Sequence, residues 1–224
     1  MTKRILVLLL TFTTITVNGQ NHFIGVESGV NFTNVAAKSF VDGRDFRTSL
    51  PLGITYEYIF KSGFSVGADI VYNQRGFISD FIYTDVSGIP TGQKGTFKFN
   101  YDYLTVPLKV GYNYGKIFYS FANIGLTPSI LLEAKHLIPE IELPETFLSS
   151  ERYNLTNKVN RFDIGGILEI GGGYKFKDRL LGFLSLSYQH SLTTFTNSDY
   201  FADSKARHYG MTVNFGIKYA LTKK

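Results

Sequence analysis

Read alternately, residues 209–221 separate into two sets. Tyr209, Met211, Val213, Phe215, Ile217, Tyr219 and Leu221 form one; Gly210, Thr212, Asn214, Gly216, Lys218 and Ala220 form the other. Period-two alternation over that length is a strand signal, and the strand is longer than the usual five or six residues. Ten residues at about 3.3 Å each, tilted by roughly 45°, cover about 23–25 Å, the height of the apolar band of an outer-membrane barrel. The apolar set carries tyrosine near each end, and the polar set is small and almost uncharged. Such a strand is expected to turn its apolar face to lipid and its polar face into a narrow interior.

The same pattern predicts strands at residues 23–33, 50–60, 64–77, 97–114, 117–132, 162–176 and 181–192. With 209–221 the count is eight and even, as an outer-membrane barrel requires. Tight turns are predicted after the second, fourth and sixth strands, at Lys61-Ser62-Gly63, Tyr114-Gly115-Lys116 and Lys177-Asp178-Arg179. Long connections are predicted at 34–49, 78–96, 133–161 and 194–207. Short periplasmic turns alternating with long external loops fit an all-β, eight-stranded antiparallel up-and-down transmembrane β-barrel. In that topology Tyr58, Tyr112, Tyr174 and Tyr219 fall at the periplasmic rim. Tyr72, Tyr188 and Tyr209 fall at the external rim. A soluble barrel with the faces inverted would expose a surface of Gly, Ser and Thr with few lysines, a poor fit to water.

Composition agrees with a membrane barrel. Aromatics are 16% of the 224 residues and charged residues only 18%, with 22 glycines. The absence of cysteine excludes disulfides, thiolate metal sites, cysteine nucleophiles and a lipoprotein anchor. The formal charge of +5 includes Lys3 and Arg4, so the body is mildly basic and carries no nucleic-acid patch. Residues 1–19 read as a signal peptide: Lys3 and Arg4, an apolar core from Ile5 to Leu10, then Val17 and Gly19 at the −3 and −1 positions of a cleavage site. The apolar run is too short to span about 30 Å of hydrocarbon as a helix. Residues 20–224 are expected to form the barrel domain in the cell outer membrane.

The motifs point to no catalytic, cofactor or metal site. Gly111 to Lys116 is one residue short of a phosphate loop, and Ile117 stands where Ser or Thr is required. His22, His136, His190 and His208 show no ligand spacing. A Ser/His/acid enzyme at the rim would draw on His190, Ser191 and His208, but alternation turns His190 and Ser191 to opposite faces. The chain is therefore expected not to be an enzyme, with a lipid-modifying or small-ligand-binding barrel as the alternative. The 133–161 connection, with Pro139, Pro144 and the acids Glu140, Glu142, Glu145 and Glu151, is the candidate protein-binding loop. The remaining expected partners are outer-membrane lipids and the barrel-assembly machinery. Alternation also sends Glu27, Glu57, Asp69, Lys109, Glu169 and Lys218 into the lumen, where unpaired charge is costly. Neighbour order predicts Asp69 with Lys109, and Glu27 with Lys218 across the closing seam, leaving Glu57 and Glu169 to share these cations or hold a proton.

Ile24-Gly-Val-Glu-Ser-Gly-Val-Asn-Phe, Gly67-Ala-Asp-Ile-Val-Tyr-Asn-Gln-Arg-Gly, Tyr103-Leu-Thr-Val-Pro-Leu-Lys-Val-Gly-Tyr and the last strand together resemble the PorT-type outer-membrane β-barrel family of Bacteroidota. Tyr-Leu-x-(Val/Ile)-Pro-Leu is the most specific of these elements. The resemblance implies an eight-stranded barrel and a kinship with components that support type IX secretion and gliding. The chain departs from many barrels in ending past Tyr219 on Ala-Leu-Thr-Lys-Lys rather than on an aromatic.

The mature protein is expected to begin at Gln20 or Asn21 and to fractionate with outer membranes. N-terminal sequencing that found Lys3 retained would refute the export signal.

Overall fold

The computed structural model describes residues 22–37, 43–84, 87–139, 141–143, 146–148, 150–177, 179–197 and 205–221; the segment read as a signal peptide lies outside them. In chain order the strands are β1 His22–Ala37, β2 Arg44–Ser49, β3 Leu52–Ile59, β4 Phe64–Thr84, β5 Pro90–Thr105, β6 Leu108–Gly115 and β7 Phe118–Ile138. They continue as β8 Ile141–Leu143, β9 Thr146–Leu148, β10 Glu151–Asn154, β11 Phe162–Lys177, β12 Leu180–Ser191 and β13 Ala206–Ala220. All pairings are antiparallel, and β1 pairs with β13 from Phe23↔Ala220 to Ala37↔Ala206, so the sheet closes. Taking β2 with β3 and β5 with β6 as single staves, the ring has eight staves, each bonded to the next; β8 and β9 form a separate hairpin.

The outward set forms one apolar band. Val26, Ile54, Ile70, Val110, Ile124, Leu168, Leu184 and Val213 are all exposed in the isolated chain, on seven different staves and the closing strand. The inward set is buried. That separation is what the alternation of the sequence demands of a sheet with a wet or packed interior and an apolar exterior.

Two expectations about the staves need correction. The predicted strand 97–114 is interrupted at Val106–Pro107, because proline has no N–H for the ladder. The stave still holds together: Val106 N–H donates to Pro128 O at 2.9 Å and Pro107 O accepts from Asp69 N–H at 3.0 Å. The expected long connections are also largely strand. β4 runs on to Thr84 and β5 starts at Pro90, so 78–96 is a hairpin with its tip near residue 88. β2 occupies part of 34–49, and the 133–161 segment contains the end of β7 together with β8, β9 and β10. The physical reason is a reversal of pattern. Beyond the membrane-height portion the outward face is polar and the inward face aromatic, with Phe77, Phe99 and Tyr101 buried, so a template with apolar residues outside fails there.

The lumen is filled in layers. At the turn end Phe23, Tyr119, Phe121, Leu181, Phe183 and Ala220 form one cluster. At the loop end Val35, Phe77, Phe99, Tyr101, Tyr103, Leu131, Val159, Phe195 and Ala206 form another. Inward glycines give these rings their space: a Cβ on Gly171 would lie 2.5 Å from the Phe121 ring, and one on Gly216 at 2.5 Å from the Phe183 ring. Eight staves leave an interior that side chains alone can fill, and here large rings fill both ends.

Phe183→Ala is expected to cost about 3–5 kcal/mol, since the rigid wall cannot collapse into the void. Urea unfolding of the refolded protein measures it; a change below about 1 kcal/mol would mean the turn-end cluster is loosely packed.

Candidate functional site

Between the two aromatic clusters lie the charged side chains. Lys109 Nζ is 2.6 Å from Asp69 Oδ2 and 3.2 Å from Glu169 Oε2, with all three side chains nearly inaccessible. Asn123 and Ser185 also donate to Glu169, at 2.9 and 2.7 Å. Lys109 reaches both acids because its cross-strand neighbours are Gly67 and Gly125, which leave the floor of the bore open on either side.

The structure gives Lys218 a different partner from the one expected. Its Nζ donates to Glu57 Oε2 at 2.8 Å instead of pairing with Glu27. The register explains the change. Lys218 stands opposite Gly25, not Glu27, and a Cβ on Gly25 would lie 3.0 Å from Lys218 Cγ. The lysine therefore passes over β1 and meets β3, with its ammonium 4.7 Å from the centre of the Phe183 ring. Asn113 completes Glu57 at 3.2 Å. Glu27 faces the same layer between Gly53 and Gly216 and makes no salt bridge among the described residues. Four acids and two lysines thus share the middle of the bore; Lys109 serves two of the acids, Lys218 one, and Glu27 is the acid in no salt bridge among the described residues.

A second charged layer lies toward the loop end, and neighbour order does not predict it. Arg75 Nη1 donates to Asp163 Oδ2 at 2.6 Å, and Arg75 Nη2 donates to Thr105 Oγ1 at 3.0 Å and Ser129 Oγ at 2.8 Å. Asp163 accepts further hydrogen bonds from Ser191 Oγ at 2.8 Å and Thr193 Oγ1 at 2.6 Å. The guanidinium lies 4.6 Å over the Tyr103 ring. A parity signal is present: Arg75 and Asp163 share the inward register of Asp69 and Glu169. Because β4 and β11 are separated by two staves, this pair bridges the bore rather than neighbouring strands.

The hydroxyl and imidazole groups do not assemble as a nucleophilic set. Ser191 is committed to Asp163. His190 faces outward, 3.2 Å from Tyr188 Oη. His208 is buried with its ring stacked on Phe195 at 4.2 Å and near Tyr101 at 5.0 Å. A triad needs the serine hydroxyl on the histidine ring, and the described bonds place it on the acid.

The tyrosines lie at the two ends of the outward band. Tyr112, Tyr174 and Tyr219 are exposed at the turn end; Tyr58 there is half-buried against His22 and Phe60, each with ring centres 4.7 Å away. Tyr72 and Tyr188 are exposed at the loop end, and Tyr209 is half-buried between His190 and Phe46. Phe60, Phe64, Phe118 and Phe176 join the turn-end belt, which tyrosine alone does not mark in the sequence.

Above the charged layers the extended parts of β4, β5 and β7 carry an inward staircase of rings. Phe77 stacks on Phe99 at 4.4 Å, Phe99 on His136 at 4.2 Å, and Phe97 on Phe81 at 4.1 Å. Burial among these rings holds the His136 imidazole below its ordinary pKa, so it packs as a neutral ring.

Comparison with known proteins places this geometry. A family model described as an outer membrane protein beta-barrel domain matches residues 18–197. A major outer membrane protein from Thermus thermophilus superposes over 90% of this chain and 100% of its own, with 12% identity and a TM-score of 0.50. OprG from Pseudomonas aeruginosa covers 90% of this chain and 96% of its own at 13% identity and a TM-score of 0.46. Neisserial surface protein A covers 89% and 99% at 10% identity, also with a TM-score of 0.46. At such identities the likeness concerns the fold alone. No curated protein matches the sequence.

Lys109→Ala is expected to destabilise the barrel by about 3–5 kcal/mol, because it strands Asp69 and Glu169 together. Adding Asp69→Ala should restore part of that loss, read in urea unfolding. Wild-type stability in Lys109→Ala would show that solvent, not the lysine, satisfies the acids.

Proposed function

Because the chain belongs to the outer membrane protein beta-barrel domain family, we propose that this integral outer-membrane protein is a non-conducting barrel that works through its external wall, in an anchoring, assembly or secretion-accessory role of the type IX secretion-like kind. The carrying observation is the mismatch between strand length and membrane height. β4 and β7 each have 21 residues. At about 3.3 Å per residue and roughly 45° tilt, that length rises about 49 Å, some twice the ~25 Å apolar band. The surplus is all at the loop end, since the opposite ends close in tight turns at 60–63 and 115–117. The bore beneath it is crossed by Arg75–Asp163 and Lys218–Glu57 and closed by rings at both ends, which supports a role other than diffusion.

The wall is a fixed surface. β10 adds to β7 from Glu151↔Ile138 to Asn154↔Lys135, so part of the 133–161 segment is sheet. Val159 and Phe195 pin the neighbouring chain into the loop-end cluster. A protein partner docking here would meet a pre-formed edge of sheet, with assembly machinery needed for insertion and outer-membrane lipid as the surrounding solvent. The ring staircase of Phe81, Phe97, Phe99 and His136 favours, as the second reading, a small apolar ligand at the mouth. An enzymatic role finds no support in the placement of Ser191 and His208.

Planar-bilayer recordings of the wild type are expected to show no steady conductance. Pull-downs from detergent-solubilised outer membranes should recover a protein partner with the full chain and lose it when 141–149 is replaced by a short Gly/Ser linker, with heat-modifiable migration on gels unchanged. Steady single-channel current, or undiminished capture by the replaced chain, would overturn this reading.

A further inference from the structure

The described glycines with ordinary backbone angles nearly all have a reason in their own packing. A Cβ on Gly25, Gly29, Gly111, Gly125, Gly165 or Gly216 would come within 3.0 Å of a neighbouring atom. Gly166 is the exception: a Cβ there would meet nothing within 4 Å. Its cross-strand partners are Leu126 and His190, so it belongs to the outward row, where neighbours carry large apolar side chains. The missing side chain opens an apolar recess of about 520 Å³ between β6, β7, β11 and β12, with Tyr188 and His190 at its side. None of the described residues fills it.

A second groove, of about 790 Å³, lies farther up the same side of β7. Its floor is outward-facing Tyr72 and Leu132, and the 154–161 segment overhangs it with Lys158 and Arg161. This overhang is fastened to β7: Leu155 N–H donates to Ala134 O at 2.8 Å, and Leu131 N–H donates to Arg161 O at 2.7 Å. The groove's two acids have other partners. Asp102 accepts from Gln74 at 3.0 Å, and Glu133 pairs with Lys135. Lys158 and Arg161 are in no salt bridge among the described residues, and Arg161 reaches only Asn157, at 3.4 Å.

The two hollows share the outward row of β7: the recess spans β6, β7, β11 and β12, and the groove spans β4, β5 and β7 beneath the 154–161 segment. β7 and β11 pair through Phe162↔Ile130, Ile164↔Pro128 and Gly166↔Leu126. From Leu132 down to Leu126 is about 20 Å along the strand, or roughly 14 Å of depth at a 45° tilt, close to one leaflet of a ~30 Å hydrocarbon core. The cations stand over one exposed rim tyrosine, Tyr72, and the apolar recess runs from the other, Tyr188, into the outward band at Val110, Ile124 and Leu168. We propose that the outward row of β7 binds one outer-leaflet lipid with a phosphorylated headgroup, its phosphate against Lys158 and Arg161 and one acyl chain in the recess at Gly166. A free phosphate would use the upper groove and leave the recess empty; a second copy of the chain would fill the recess without using the cations. The lipid uses both.

The test is native mass spectrometry of the full mature chain, extracted from its own outer membrane in mild detergent, with the bound lipid identified by fragmentation. Wild type is expected to retain one phosphorylated lipid per chain. Gly166→Leu fills the recess, and Lys158→Glu with Arg161→Glu reverses the upper charge; each should lower retention by about tenfold or more, equivalent to about 1.4 kcal/mol. Gly166→Ala, which the open space accommodates without strain, should give a smaller loss and keeps the test valid if the leucine variant fails to fold. Heat-modifiable migration establishes folding of each. Wild type without bound lipid, a retained lipid lacking phosphate, a lipid-free dimer, or wild-type retention in the folded charge variant or in both glycine variants would overturn the proposal.

Discussion

The structure depends on closing the sheet. In hydrocarbon an unpaired backbone N–H or C=O costs several kcal/mol, so a membrane-spanning sheet cannot end in an open edge. The pairing of β1 with β13 over the whole of both strands meets that demand. Closure then creates a second problem. It encloses a bore into which every alternate residue projects, and those residues are the polar half of each strand. The outer face needs only to be apolar; the inner face must solve a packing problem in which long, small and charged side chains are matched across strands.

The match is visible in pairs. Lys109 lies between two glycines, Glu27 between Gly53 and Gly216, and Lys218 beside Gly25. Lys109 and Lys218 are each given an empty neighbour to pass over, and each finds a partner one or two staves away. Taking such groups out of water is costly, and the attraction offsets that cost only with good geometry and further hydrogen bonds. Arg75–Asp163 shows how far the requirement is met: two serines and two threonines complete a bridge across the bore. The same bridges bind distant staves together, so the interior braces the wall as well as filling the bore.

How much of this is legible in the sequence follows from the same physics. Lipid imposes one rule on the outward positions, and eight staves follow from it with small errors at their ends. The inward identity of Glu57, Asp69, Lys109 and Glu169 needs only parity. Which of them touch cannot be read that way, because contact depends on register and on the gaps between. Gly25 opposite Lys218 decides that lysine's partner, and a shift of two residues would have delivered it to Glu27. Asp163 has the right parity, but it stands at the very start of its predicted strand, where the membrane-depth argument loses its hold. Above the membrane the rule itself changes, since water is outside and rings are inside. The extension of β4, β5 and β7 therefore has the sequence signature of loop.

That change of rule also bears on what the external part can do. A loop docking a partner loses conformational entropy that a fixed surface has already lost in folding. Here the upper wall shares its core with the barrel: Tyr101 and Tyr103 of β5, Leu131 of β7, Val159 before β11 and Phe195 after β12 pack as one cluster. Directly beneath, the Tyr103 ring carries the guanidinium of the bore-spanning Arg75. The wall is thus continuous, through packed rings, with the ion pairs that close the lumen. A segment that the chain's composition presents as a series of polar loops is held by the same packed interior that fills the bore, and the surface it offers outside the membrane is fixed by that packing.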